Sequence, residues 1–65
     1  MVYVAYNRLY LKGKAISAPF RASKGKTEAE AKRNVTNYNR RWNAMKENRR
    51  KGLKAKNVSI KKRSR

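Results

Sequence analysis

The apolar positions of this chain change period along its length. Val2 to Leu11 is a dense run of Val, Tyr and Leu. Beyond it the alternation is regular: Ile16, Ala18, Phe20 and Ala22 point one way, and Ala15, Ser17, Pro19 and Arg21 the other. Period two with one apolar face is the mark of a half-buried strand. Residues 2 to 22 therefore predict a β-hairpin turning at Lys12-Gly13-Lys14, where Gly13 is free to take φ > 0. Leu9 and Leu11 can share a face with Ile16 and Phe20. Pro19 donates nothing to a ladder, so the second strand is an edge or carries a bulge there. Alternation in the first run is weaker and leaves its register open.

From residue 27 the period becomes helical. Thr27-Glu28-Ala29-Glu30 fits a capping box, in which the threonine hydroxyl accepts from the N3 amide and Glu30 reaches back. Both early glutamates sit where the helix dipole favours negative charge. Ala31, Val35, Tyr38, Trp42 and Met45 then follow 4-3-4-3 spacing, one stripe of an amphipathic helix. The helix is expected to run to about Lys51, with Gly52 at C′ and Leu53 folding back as a hydrophobic contact. A lone hairpin is marginal, so the stripe should cover the face of Ile16, Ala18 and Phe20, which makes Tyr38 and Trp42 core residues.

Residues 54 to 65 read as a basic tail in which Val58-Ser59-Ile60 is the only apolar spot. Such a segment either adds a short third strand or, as its charge favours, stays flexible without a ligand. The expectation is thus an α+β protein: a small hairpin packed on one long amphipathic helix over residues 1–53, followed by a flexible basic tail over 54–65.

Charge changes the picture most. Of 65 residues, 20 are Lys or Arg and 3 are acidic (Glu28, Glu30, Glu47), a formal net charge of +17. Solubility of a small domain needs only about 2–8 charges. The excess repels itself and calls for an acidic partner. Nucleic acid is the polyanion that fits, bound through its phosphates with release of counterions. A membrane surface would need the apolar stripe that the core needs. There is no cysteine and no histidine. Thiolate metal sites, disulfides and the commonest general base are excluded, so no enzyme, metal, cofactor or small-molecule substrate is expected. No apolar run reaches the length of a signal or membrane-spanning segment. The expected setting is intracellular, with nucleic acid: cytoplasm or nucleoid, virion or ribosome.

Two basic elements are candidates for the contact. Arg33, Arg40 and Lys51 lie opposite the helix stripe, flanked by Lys32 and Arg50. The tail supplies Lys54, Lys56, Lys61, Lys62, Arg63 and Arg65. Asn34, Asn37, Asn39 and Asn43 are helix residues with the chemistry to read adenine edges, as arginine reads guanine. Among the aromatics, Tyr3 is expected to be exposed, while Tyr6 and Tyr10 fit either a core or a base-stacking role.

Lys24 to Lys32, Lys-Gly-Lys-Thr-Glu-Ala-Glu-Ala-Lys, follows the hairpin and opens a helix bearing Trp42. Over residues 8 to 42 this resembles the AP2-like arm-type DNA-binding domains of phage integrases. The resemblance implies a small sheet that enters the major groove, braced by the helix, with Arg8, Lys12, Lys14 and Arg21 as DNA contacts. The leading expectation is a DNA-binding accessory protein, viral or mobile-element-encoded, that compacts or regulates DNA by neutralising phosphates. The alternatives are a ribosomal or other RNA-bound protein and a basic inhibitor of an acidic protein surface. DNA is favoured over RNA; the oligomeric state stays open, since a 4-3-4-3 stripe also pairs helices.

Overall fold

A computed structural model describes residues 1–64; Arg65, one of the candidate contacts, lies outside the described residues. The chain runs β1 (Val2–Leu11), β2 (Lys14–Ala15), β3 (Phe20–Gly25), α1 (Glu28–Ala44), α2 (Lys46–Lys51) and β4 (Leu53–Arg63). The expected α+β architecture is present, an antiparallel sheet packed on one long helix.

β1 is the centre of the sheet. Along one edge it pairs with β2 and then β3; along the other it pairs with β4, from Val2↔Arg63 to Leu11↔Leu53. The hairpin turns on Lys12 and Gly13, both with positive φ (50° and 90°), the two-residue geometry whose twist matches that of the flanking strands. The returning strand is not continuous. Ile16 N still donates to Leu9 O (2.9 Å), but Leu9 N donates to Ser17 Oγ (3.0 Å) instead of a ladder carbonyl. Pro19 follows in the gap between β2 and β3. Ile16 is consequently 51% exposed and does not join the apolar face that alternation assigned to it. Pro19 lies in no strand and carries no bulge, so no ladder asks a donor of it.

The segment read as a flexible tail is β4. Its composition argues for disorder, but β1 offers it a full unpaired edge, and its alternate residues have places to go. Ala55 is buried, and Ile60 pairs beside the fully buried Ala5. Lysine stems can lie along apolar surface while their ammonium heads stay in water. Each outer strand carries one bulge, Ala22 in β3 and Val58 in β4, where the register with β1 shifts. Asn57 Nδ2 stitches the second by donating to Tyr6 O (3.0 Å) and Ser59 O (3.1 Å).

α1 starts as the capping residues predict. Glu30 N donates to Thr27 Oγ1 (3.1 Å), and the Glu30 carboxylate accepts from Lys26 N (2.9 Å), one residue before the cap. It ends early. Met45 is extended (ψ 134°), Met45 N donates to Trp42 O (3.2 Å), and Asn48 Nδ2 donates to the same carbonyl (2.8 Å). α2 then closes on Gly52 at φ 77°, the left-handed C-cap expected there. Leu53 opens β4 opposite Leu11 rather than folding back on the helix.

The core is made of small residues. Ala5, Ala31, Val35 and Ala55 are its buried apolar members between helix and sheet, Asn7 is fully buried with them, and Val4 is buried on the other face of the sheet. Alanines at the contact let helix and sheet approach closely. A Cβ on Gly25 would lie 2.5 Å from Ala31 N, so the strand end must be glycine. The stripe over the sheet is therefore Ala31 and Val35, continued by Asn39 and Asn43, not by Tyr38, Trp42 and Met45. Tyr38 and Met45 are 39% and 55% exposed, and Trp42 is half-buried. With 3.6 residues per turn, a stripe stepping by four drifts away from one stepping 4-3-4-3. The polar i+4 positions won because their amides have partners on the sheet.

Candidate nucleic-acid interface

α1 lies on one face of the sheet, as the hydrogen bond from Asn7 Nδ2 to Asn39 Oδ1 fixes. Since side chains alternate along a strand, Ala5, Asn7 and Leu9 point toward the helix. Val2, Val4, Tyr6, Arg8 and Tyr10 point the other way, onto a face that α1 does not cover.

Residues paired directly across an antiparallel ladder share a face, so the register identifies the rest of that surface. Val4 is flanked by Lys24 and Lys61, Tyr6 by Arg21 and Ser59, Arg8 by Lys56, Tyr10 by Lys54, and Val2 by Arg63. The helix-free face thus carries seven cations: Arg8, Arg21, Lys24, Lys54, Lys56, Lys61 and Arg63. Among the described residues no carboxylate answers them, because Glu28 and Glu30 are in the first turn of α1 and Glu47 is in α2.

The side chains on this face are ordered by one another. Arg63 Nε donates to Tyr6 Oη (3.0 Å), and its guanidinium lies 5.6 Å from the Tyr6 ring centre. Lys56 Nζ lies 5.1 Å from the Tyr10 ring centre. Both are within cation–π range. The Arg63 hydrogen bond, with Arg21 assisting, lowers the Tyr6 phenol below its ordinary value. Arg8 is half-buried between the two tyrosines, and its Nε has no hydrogen-bond partner within the protein. Beside this row Val2, Val4 and Ala22 line a shallow hollow of about 300 Å³ rimmed by Arg21 and Lys24.

The candidate contacts are thus distributed over several surfaces. Arg8, Arg21, Lys54, Lys56, Lys61 and Arg63 come together on the open face. Lys62 pairs with Tyr3, on the helix side. Lys12 and Lys14 are at the hairpin turn, where the Lys12 stem packs near Gly52. Lys32, Arg33 and Arg40 are exposed on α1, and Arg50 and Lys51 on α2. Lys24 was missed because it reads as part of the loop before the helix cap. Only the β3–β1 register puts it beside Val4.

The asparagines have other work. Asn43 Oδ1 accepts from Ala55 N (2.8 Å) and its Nδ2 donates to Ala55 O (3.2 Å), which satisfies the backbone of β4 at that one residue. Asn34 Nδ2 donates to Lys24 O (2.8 Å), and Asn39 bonds Asn7. Of the four candidate base readers only Asn37 is exposed. Tyr3, expected outside, faces the helix side, and the open-face rings are Tyr6 and Tyr10.

No family model, curated protein or solved structure matches the chain. Among the described residues no helix is long and apolar enough to cross a membrane.

Proposed function

We propose that this protein binds nucleic acid, duplex DNA in the first place, by laying the helix-free face of its sheet on the phosphate backbone. The observation that carries the reading is the field of seven cations, Arg8 among them, around Tyr6 and Tyr10, with no carboxylate of the described residues on that face. From Lys54 to Arg63 the face is about 30 Å long at ~3.3 Å per residue. That length of duplex carries about 18 phosphate charges, more than enough to engage every cation on the face. Ordering by cation–π contacts and the Arg63–Tyr6 bond reduces the side-chain entropy lost on binding. A sheet facing DNA with a helix bracing it from behind is also what the resemblance to integrase arm-type domains implies. Architectural or regulatory roles suit such a contact, because phosphates position a protein without reading sequence.

RNA is the second reading, and Tyr6 and Tyr10 favour it. Aromatic rings on an open sheet stack on unpaired bases, and these two lie about 13 Å apart along β1. Competition among duplex DNA, single-stranded DNA, duplex RNA and structured RNA at one salt concentration tests both. Duplex DNA competing best supports the first reading. Preference for a single strand or structured RNA transfers the site to the second, and no competition by any of them removes both.

A further inference from the structure

The open face leaves a second field of cations unused. On α1, Ala31, Val35, Asn39 and Asn43 are turned to the sheet. At 100° per residue, Arg33, Arg40 and Arg41 fall on the far side with Asn37 among them, and all four are exposed. Arg40 and Arg41 have no acidic residue three or four positions away on the helix. Glu30, one turn before Arg33 on the same side, turns its carboxylate back to Lys26 N, and it is the one acid at the start of this row. This outer helix surface is therefore also net positive, three arginines against Glu30, back to back with the sheet face.

The two rows cannot serve one duplex. The body of the helix, about 10–12 Å across with its side chains, stands between them. That exceeds the Debye length of about 8–10 Å at 0.1–0.15 M salt. A polyanion seated on the sheet leaves the outer arginines unscreened by it and free to attract another.

From this we infer that the protein bridges two DNA segments, the sheet face holding one and Arg33, Arg40 and Arg41 the other. The inference rests on the reading of the sheet face given above and adds the second partner, another duplex. A chain with a net charge of +17 repels its own copies, which favours bridging by single molecules over bridging by protein dimers.

The test is a sandwich capture. One duplex is immobilised on beads, the protein is added, and a second, labelled duplex is offered in solution. Wild-type protein should coat the beads and retain the labelled duplex. The variant Arg33→Gln, Arg40→Gln, Arg41→Gln should coat the beads equally. It should hold the second duplex about 10²–10³-fold more weakly near 0.1 M salt, as the loss of three phosphate contacts requires. Circular dichroism of the variant, altered only at exposed positions, checks that it is folded. Wild-type protein that coats the beads and captures nothing overturns the inference, as does a folded variant that captures as wild type does. Failure to coat the beads at all overturns the reading of the sheet face itself.

Discussion

Neutralising part of β4 should change how binding depends on salt, and by a calculable amount. If the seven cations of the open face each engage a phosphate, the slope of log K against log salt is about −6 at ~0.9 per contact. Raising salt from about 50 to about 200 mM then weakens binding about 6 × 10³-fold. The triple variant Lys56→Gln, Lys61→Gln, Arg63→Gln leaves Arg8, Arg21, Lys24 and Lys54. Its slope falls to about −3.6, and the same change in salt costs only about 150-fold. Glutamine keeps about half of each lysine stem, so part of the cover over Val4 and Tyr10 is preserved. The assay is fluorescence anisotropy of a short labelled duplex at five or so salt concentrations, with protein in excess. The variant with Arg33, Arg40 and Arg41 changed to Gln serves as control and should keep the wild-type slope. A flat wild-type slope would refute the phosphate mechanism. Equal slopes for wild type and the β4 variant would refute its assignment to the sheet face.

Other expectations concern what holds that face together. A chain lacking residues 54–65 should show no cooperative thermal unfolding by circular dichroism, because β1 loses a whole edge and the Ala31–Val35 stripe loses Ala55 and Ile60; a cooperative melt with retained helix signal would return the segment to tail status. Gly25→Ala should cost about 1–3 kcal/mol in urea denaturation, since its Cβ would meet backbone atoms of Glu30 and Ala31, and a change within measurement error would mean the helix start is free to move. Asn43→Ala should cost about 1–3 kcal/mol for the two hydrogen bonds it makes to Ala55, whereas an unchanged denaturation midpoint would make that amide pairing ornamental. In an alkaline titration followed by tyrosinate absorbance, Tyr6 should ionise below an ordinary phenol and shift upward in Arg63→Gln. The depressed pKa stabilises the folded anion, so this contribution is present above the unfolded pKa and lost as pH falls through the folded one; no upward shift would break the Arg63–Tyr6 link.

What the chain disclosed in advance follows from which forces are local. The Thr27 cap, the Gly52 C-cap and the turn at Gly13 are decided by a few adjacent residues, and each was legible. β4 was not, because its stability comes from β1, some fifty residues away, and its own composition argues the other way. The same holds for Asn39 and Asn43, which read as exposed polar positions until the sheet supplies Asn7 and the Ala55 backbone as partners. Displacing Trp42 and Tyr38 from the core is the counterpart of that substitution. For the candidate site, charge named most of the contributing residues. Only the register of three strands separated Arg8, Arg21, Lys24 and the β4 cations from the basic residues of the helices.

The most direct test follows the arginine side-chain Nε–Hε signals by NMR while a short DNA duplex is added to excess protein. The signals of Arg8, Arg21 and Arg63 should shift first, while those of Arg33, Arg40 and Arg41 hold still. Early shifts confined to the three helix arginines, with the sheet arginines unmoved, would contradict the account.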